Sequence, residues 1–174
     1  MKKIWLFLLV CSSVALGLSS CSDNSEDEYR DKNLAFYNSL KNISGMHEIG
    51  DSINGYPGIY YQIINEGTGA KPIIGNKVNV SYAGWTYNDT IDYSKTKCVL
   101  LESEAFDYSH DYDFTVGSKV IDGWSLAIQY MPVGSKWRLF IPYDLAYGST
   151  AQTNIPAYST LIFDISLKEV TSDN

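Results

Sequence analysis

The chain has 174 residues, of which 45% are hydrophobic and 19% charged, and its formal net charge is −7. This length suits one domain with a hydrophobic core, and the acidic balance argues against nucleic acid or anionic lipid headgroups as partners. Of the three cysteines, Cys11 and Cys21 belong to a predicted targeting segment. Cys98 is then alone in the mature domain, which excludes a disulfide framework.

The first 20 residues are typical of a lipoprotein signal peptide. Lys2 and Lys3 precede an apolar run over residues 4–18 that is too short to span a membrane as an ordinary helix. Small residues then lead to Cys21, as in a bacterial lipoprotein cleavage box. We therefore expect Cys21 to be lipidated and to be followed by an acidic tether over residues 21–28. This pattern predicts a lipid-anchored protein of the cell envelope, held at the outer membrane and facing the periplasm or the exterior.

A short helix and a linker are expected next, over residues 29–57. Ser25 and Glu28 have the spacing of a capping box, and the aromatic and leucine residues that follow have helical spacing, so a helix is predicted over residues 27–41. Glycines and a proline break the pattern over residues 42–57, which predicts a loop.

Strand patterns dominate the rest of the chain, with one interruption. Alternation predicts strands over residues 59–64, 77–82, 114–116, 137–141 and 161–168, with residues 99–101 as a further candidate. One short helix is predicted from Asp122, as its cap, to Pro132. The fold class is therefore α+β, an antiparallel sheet wrapped on one short helix.

Ordinary catalytic signatures are absent from the sequence. Residues 110–113 contain a histidine and two aspartates, but a solvated loop explains them better than a metal site. Glu102 and Glu104 are better explained as exposed charges than as an acid/base pair. Cys98 lies in an apolar run, which favours a buried, inert thiol over a nucleophile. Neither a metal nor a cofactor is expected.

A series of spaced motifs covers nearly all of the chain from residue 58 onward. The motifs are Gly67-Thr68-Gly69, Val78-x-Val80-x-Tyr82-x-Gly84, Phe114-x-Val116-Gly117, Val120-Ile121-x-Gly123-Trp124, Leu145-Ala146-Tyr147-Gly148 and Thr160-Leu161-Ile162-Phe163-Asp164. In this order, the series of motifs resembles the FKBP family of peptidyl-prolyl cis-trans isomerases. The resemblance implies an FKBP-like domain over residues 58–172, in which a twisted antiparallel half-barrel encloses the short helix and an aromatic pocket.

The same resemblance assigns the site. It implies that Trp124 is the pocket floor, that the Tyr147 hydroxyl donates to the substrate carbonyl, and that Asp107 completes the catalytic set. The remaining substrate-binding residues implied are Tyr82, Phe106, Tyr112, Val120, Ile121, Ile155 and Phe163. Tyr112 stands where the family usually has phenylalanine.

Two departures from the family pattern leave alternatives. The family has a Phe-Asp pair about ten residues after the tyrosine of the Val-x-Tyr-x-Gly motif. Either Phe106 and Asp107 form this pair, with residues 88–105 as an insertion, or Ile91 and Asp92 do; the first alignment is favoured because the residue types match. The second departure is the loop over residues 149–154, which lacks the family's glycine and proline.

The leading functional hypothesis is therefore a lipid-anchored prolyl isomerase that acts on X-Pro bonds of exported proteins and assists their folding. Its partners would be proline-containing polypeptides, and macrolide ligands of the family would enter the same pocket. The alternatives are a catalytically weak FKBP-like module that binds peptides or proteins, and a glycan-binding lipoprotein suggested only by the 14 tyrosines.

Overall fold

The structure is a computed structural model that describes residues 22–50, 58–95 and 98–171. The predicted signal peptide and Cys21 lie outside these residues. Within the described part of the chain, no helix is both long enough and apolar enough to cross a membrane.

Within the residues that the structure describes, two α-helices and six β-strands make up the fold. The helices are α1 (Ser22–Ser39) and α2 (Asp122–Ile128). The strands are β1 (His47–Ile49), β2 (Ile59–Asn65), β3 (Lys77–Thr86), β4 (Asp107–Thr115), β5 (Lys136–Ile141) and β6 (Leu161–Thr171). They form one sheet in the order β1-β2-β5-β6-β3-β4, in which every neighbouring pair is antiparallel. The predicted α+β fold with an additional N-terminal helix is confirmed.

The inner face of the sheet packs on α2. Alternate residues of the strands point to one face of a sheet, so the period-two pattern of β6 places its apolar side chains together. Phe163 and Ile165 are buried there, and on α2 they meet Trp124, Ala127 and Ile128 in one core. The strand pattern predicted for residues 161–168 is therefore confirmed.

The outer face of the sheet is covered as well, which the sequence pattern did not indicate. We call its buried apolar group the outer cluster, formed by Phe36, Tyr37, Leu40, Tyr60, Tyr93, Phe140 and Ile162. It joins α1, the sheet and the segment between β3 and β4. Positions 36, 37 and 40 lie on one side of a helix, so this side of α1 faces the sheet.

Several local predictions differ from the structure. The first helix begins by Ser22, so Ser25 lies inside it and does not cap it, and residues 22–28 belong to this helix. Residues 99–101 form no strand. Helix α2 is capped by Ile121, in extended conformation and without a side-chain hydrogen bond, so Asp122 belongs to the first turn. Strand β1 was missed because it is three residues long and mostly exposed, which leaves no alternation to detect.

Candidate active site

An aromatic concavity opens between α2 and the sheet. Its volume is about 120 Å³. The residues that line it come from β3, β4, β6, α2, the segments beside α2 and β4, and the segment after β5: Tyr82, Phe106, Asp107, Tyr112, Lys119, Val120, Ile121, Trp124, Tyr147 and Phe163. Six of these ten side chains are aromatic rings, so the concavity is suited to a flat or compact apolar group.

Trp124 forms the base of this arrangement. It lies in the first turn of α2, is 5% exposed, and is approached by rings from three strands, β3, β4 and β6. The centroid of the Tyr82 ring lies 4.8 Å from that of Trp124, at an interplanar angle of 81°. Phe163 approaches to 5.1 Å at 85°. Such edge-to-face contacts are favourable between aromatic rings, so the walls and the base support one another.

Two glycines allow this close packing. A Cβ atom on Gly84 would lie 2.4 Å from Cε1 of Phe163 and 2.9 Å from Cζ of Phe106. A Cβ atom on Gly123, beside Trp124, would lie 2.4 Å from Cγ2 of Ile141. Larger residues at either position would displace the rings or the helix that form the site.

A hydrogen bond joins the two strands at the rim. The Tyr82 hydroxyl donates to Oδ2 of Asp107 over 2.7 Å. Burial raises the pKa of Tyr82, and the hydrogen bond and negative charge of Asp107 raise it further because both favour the neutral phenol. Tyr82 therefore stays protonated and holds the Asp107 carboxylate in place.

Tyr147 borders the opening and is 40% exposed. It follows a short 3₁₀ turn over Tyr143–Leu145 that leads out of β5. Burial raises the pKa of Tyr147, and the negative charge of Asp107 adds to the shift. The Tyr147 hydroxyl thus remains a hydrogen-bond donor at neutral pH and above.

Comparison with known proteins identifies the family. The family model described as FKBP-type peptidyl-prolyl cis-trans isomerase matches residues 69–168. This chain belongs to that family. The chain is 38% identical over 118 residues to the FKBP-type 22 kDa peptidyl-prolyl cis-trans isomerase of Escherichia coli (strain K12), covering 65% of this chain and 50% of the relative. It is 40% identical over 114 residues to the outer membrane protein MIP of Legionella longbeachae, covering 65% and 44% respectively.

A solved structure agrees with this membership. The crystal structure of a peptidyl-prolyl cis-trans isomerase from Pseudomonas syringae pv. tomato DC3000 superposes with a TM-score of 0.67 at 31% identity. The match covers 84% of this chain and 96% of that one. The chain spans about half the length of the Escherichia coli and Legionella relatives named above.

Nine of the ten site residues predicted from the FKBP resemblance line the concavity. The exception is Ile155, which is 5% exposed and packs in the inner core instead. It lies at the end of a tight turn closed by hydrogen bonds with Gln152, which directs it inward. Lys119 was missed, because a single lysine directly before a hydrophobic motif carries no signal in the sequence; its φ of 63° places it in the left-handed region.

The two candidate pairs for the family's Phe-Asp motif lie in different parts of the structure. Phe106 and Asp107 line the concavity, and the Phe106 ring packs edge-on against Phe163 at 5.6 Å. Ile91 instead packs against the outer cluster, and the Asp92 carboxylate accepts hydrogen bonds from Ser94 in a local turn. This placement agrees with the favoured alignment, which predicts that residues 88–105 are an insertion.

The other candidate groups lie outside the concavity. Among the described residues, no group of three or more histidine, cysteine or acidic side chains could hold a metal ion. Asp111 and Asp113 both accept hydrogen bonds from the Asn79 amide. Glu102 and Glu104 are exposed on a 3₁₀ turn rather than a strand. Cys98 is partly buried against Arg138, and burial raises the pKa of its thiol, as expected of an inert cysteine.

Proposed function

We propose that this protein is a peptidyl-prolyl cis-trans isomerase that acts on X-Pro bonds of polypeptides. The observation that carries the proposal is the pairing of Tyr147, a protonated donor at the opening, with an aromatic concavity based on Trp124. Membership of the FKBP-type family supports the same reaction.

The chemistry of the bond explains why such a site would suffice. Rotation about a peptide bond has a barrier of ~18–20 kcal/mol because it breaks amide resonance, and uncatalysed prolyl isomerisation takes on the order of tens to hundreds of seconds. The twisted amide has lost the charge separation of the planar one. An apolar pocket therefore disfavours the planar ground state more than the twisted transition state. A thousandfold acceleration needs only about 4 kcal/mol.

Each residue then has a defined role. The proline ring would lie on Trp124, between the rings of Tyr82 and Phe163. The Tyr147 hydroxyl would donate to the substrate carbonyl in its rotated direction, an interaction made only as the bond twists. Asp107 would fix the Tyr82 wall through their 2.7 Å hydrogen bond. Neither a base nor a covalent intermediate is involved.

The test is a prolyl-peptide isomerisation assay on the full chain and on Tyr147→Phe. We expect the wild type to accelerate isomerisation, and the variant to lose about tenfold in kcat/KM, the equivalent of about 1.4 kcal/mol for one hydrogen bond. Tyr130→Phe is the matched control, because Tyr130 is 46% exposed and does not line the concavity. No acceleration by the wild type, together with retained binding of a proline peptide, would establish the alternative function of a binding module.

We also propose that the protein is lipid-anchored in the cell envelope, where its substrates would be exported proteins. The lipoprotein pattern at Cys21 supports this location, and one relative is named as an outer membrane protein. Cys21→Ser should abolish lipid labelling and move the protein from the membrane to the soluble fraction, while Cys98→Ser should change neither. Unchanged fractionation of Cys21→Ser would contradict the anchor.

A further inference from the structure

Helix α1 makes an unusual set of polar contacts with the chain just before β6. The Asn33 side chain is 1% exposed, and its Oδ1 accepts a 2.8 Å hydrogen bond from the backbone N–H of Thr160. Its Nδ2 donates to the carbonyl of Tyr29 over 3.0 Å. One buried amide therefore forms hydrogen bonds with backbone groups of both elements. We call this contact between α1 and the chain just before β6 the joint; its hydrogen bonds fix the relative position of the two elements, which apolar packing alone would not do.

Two neighbouring contacts extend the joint. The Tyr29 hydroxyl lies 2.9 Å from Oγ of Ser159, which itself donates to the carbonyl of Pro156 over 2.7 Å. The Arg30 guanidinium lies over the ring of Tyr158, 5.5 Å from its centroid, and pairs with Asp27 at 3.0 Å. Three successive residues, 158 to 160, are thus each contacted by α1.

Residues 158–160 in turn contact the turn that carries Tyr147. The backbone N–H of Tyr158 donates to the carbonyl of Gly148 over 2.9 Å, directly beside Tyr147. The Tyr158 ring meets that of Tyr143 at 5.4 Å and 81°. Tyr158 adopts a φ of 59°, a conformation that a non-glycine residue holds only when its surroundings fix it. Contacts with α1 are part of those surroundings.

We infer that α1 is a positioning element of the site: through Asn33 and Arg30 it holds residues 158–160, and through Tyr158 it holds the turn that carries Tyr147. Helix α1 lies outside the part of the chain matched by the family model. The inference rests on the proposed function for its catalytic consequence, because the Tyr147 hydroxyl must be correctly placed to act on a substrate. A small misplacement of a catalytic group can reduce the rate by up to about 100-fold.

The experiment compares Asn33→Ala with Tyr37→Phe in the full chain. Both remove a hydrogen bond between α1 and the rest of the fold, but Tyr37 donates to the carbonyl of Gly58, at the start of β2. At temperatures well below unfolding, we expect Asn33→Ala to lower kcat/KM roughly tenfold and Tyr37→Phe to change it less than twofold. Arg30→Ala, at the half-exposed end of the same joint, should lower it by a smaller factor.

A double-mutant cycle distinguishes an effect of Asn33 on the position of Tyr147 from a general loss of rigidity in the fold. If Asn33 acts through Tyr147, the effect of Asn33→Ala on kcat/KM should largely disappear in a Tyr147→Phe background. Full additivity of the two substitutions would overturn the inference.

Amide hydrogen exchange tests the same joint without turnover. Asn33→Ala should speed exchange at the Tyr158 and Gly148 amides, and Tyr37→Phe should not. Equal rates in both variants would overturn the inference even if the enzyme is active. Absence of turnover in the wild type would defeat the proposed function, and the exchange rates would still decide the role of α1.

Discussion

The hydroxyl of Tyr82 on β3 donates a 2.7 Å hydrogen bond to the Asp107 carboxylate at the start of β4. These residues are 25 positions apart, and the whole insertion lies between them. The hydrogen bond therefore connects the two parts of the site that lie on either side of this segment in the sequence. It also connects the segment between β3 and β4, which packs on the outer face of the sheet, to the rim of the concavity.

Removing the hydrogen bond between Tyr82 and Asp107 should lower the stability of the fold and weaken the rim of the concavity. Tyr82→Phe and Asp107→Ala should each lower the free energy of unfolding by about 1 kcal/mol, the ordinary net value of a hydrogen bond at an exposed rim. The double variant should cost little more than either single one, because both remove the same interaction. Urea unfolding of the four proteins measures this, and strictly additive losses would show that the bond contributes nothing.

Replacing Trp124 should abolish ligand binding, whereas replacing an equally buried tryptophan outside the concavity should lower only the stability. Trp124 and Trp137 are 5% and 4% exposed, but Trp137 stacks on Tyr61 at 4.2 Å and does not line the concavity. Replacing either by leucine should cost about 2–4 kcal/mol, since each leaves a cavity in the core. Only Trp124→Leu should abolish binding of a proline peptide, measured by titration calorimetry at a temperature where both variants are folded. Loss of binding in both variants would contradict this role.

Lys119 should influence which substrates are favoured. Among the residues that line the concavity it is the cation, and Asp107 is the anion. An exposed ion pair is typically worth 0.2–1 kcal/mol, so Lys119→Glu should change the ratio of kcat/KM for peptides with Glu or Lys before proline by about 2–10-fold. The change should favour the lysine peptide and shrink at high salt. Lys71→Glu, at an exposed position away from the concavity, is the control; the same shift in that variant would indicate long-range charge alone.

A largely buried ion pair between Arg138 and Asp164 stabilises the outer face of the sheet. Arg138 is 3% exposed, and its Nε and Nη2 atoms lie 2.6 and 2.9 Å from the Asp164 carboxylate oxygens. Its Nη1 also donates to the carbonyl of Cys98, which attaches the insertion to the sheet. Arg138→Met should cost about 3–5 kcal/mol because it leaves a buried carboxylate without this partner.

Replacing both members should recover much of that loss. Arg138→Met with Asp164→Leu removes both charges, and apolar side chains of similar volume pack well in such places. Lys136→Met is the control, since Lys136 lies 3.8 Å from Asp164 and is much more exposed. Guanidinium unfolding measures the series; a single Arg138→Met variant as stable as the wild type would contradict the prediction.

Alkaline pH should destabilise the fold through Tyr93. Burial in the outer cluster raises its pKa to about 12. The unfolded chain, with a tyrosine pKa of about 10, releases this proton first, so the folded state binds more protons between these values. The contribution is complete below pH ~10 and is lost as pH rises toward ~12, at about 1.4 kcal/mol per pH unit.

Tyr93→Phe should therefore flatten the fall in stability over this alkaline range. Tyr108→Phe should not, because Tyr108 is 53% exposed. The measurement is the urea midpoint at several pH values between 9 and 11.5. Identical slopes in the wild type and Tyr93→Phe would show that this tyrosine does not titrate differently in the folded state.

Local pattern explains why some features could be read directly. Strand β6 alternates over its apolar stretch, so its two faces could be assigned residue by residue, and Trp124 could be placed in a pocket through the FKBP resemblance. Strand β1 and Lys119 could not, because a three-residue exposed strand and a single lysine leave no periodic signal. Ile155 lies in the core rather than in the lining of the concavity, since a motif position does not specify which way a turn directs its side chain.

The sequence by itself determined the inner and outer faces of the clearest strands and the position of the short helix, which depend on spacings of a few residues along the chain. Its resemblance to the FKBP family indicated the family and most of the residues around the concavity. The tertiary structure alone decided that α1 and the insertion cover the other face of the sheet, that Arg138 is buried there, and that Asn33 meets Thr160. Those contacts join segments tens of residues apart, or more, and periodicity shows that a face is apolar without showing which distant segment will cover it.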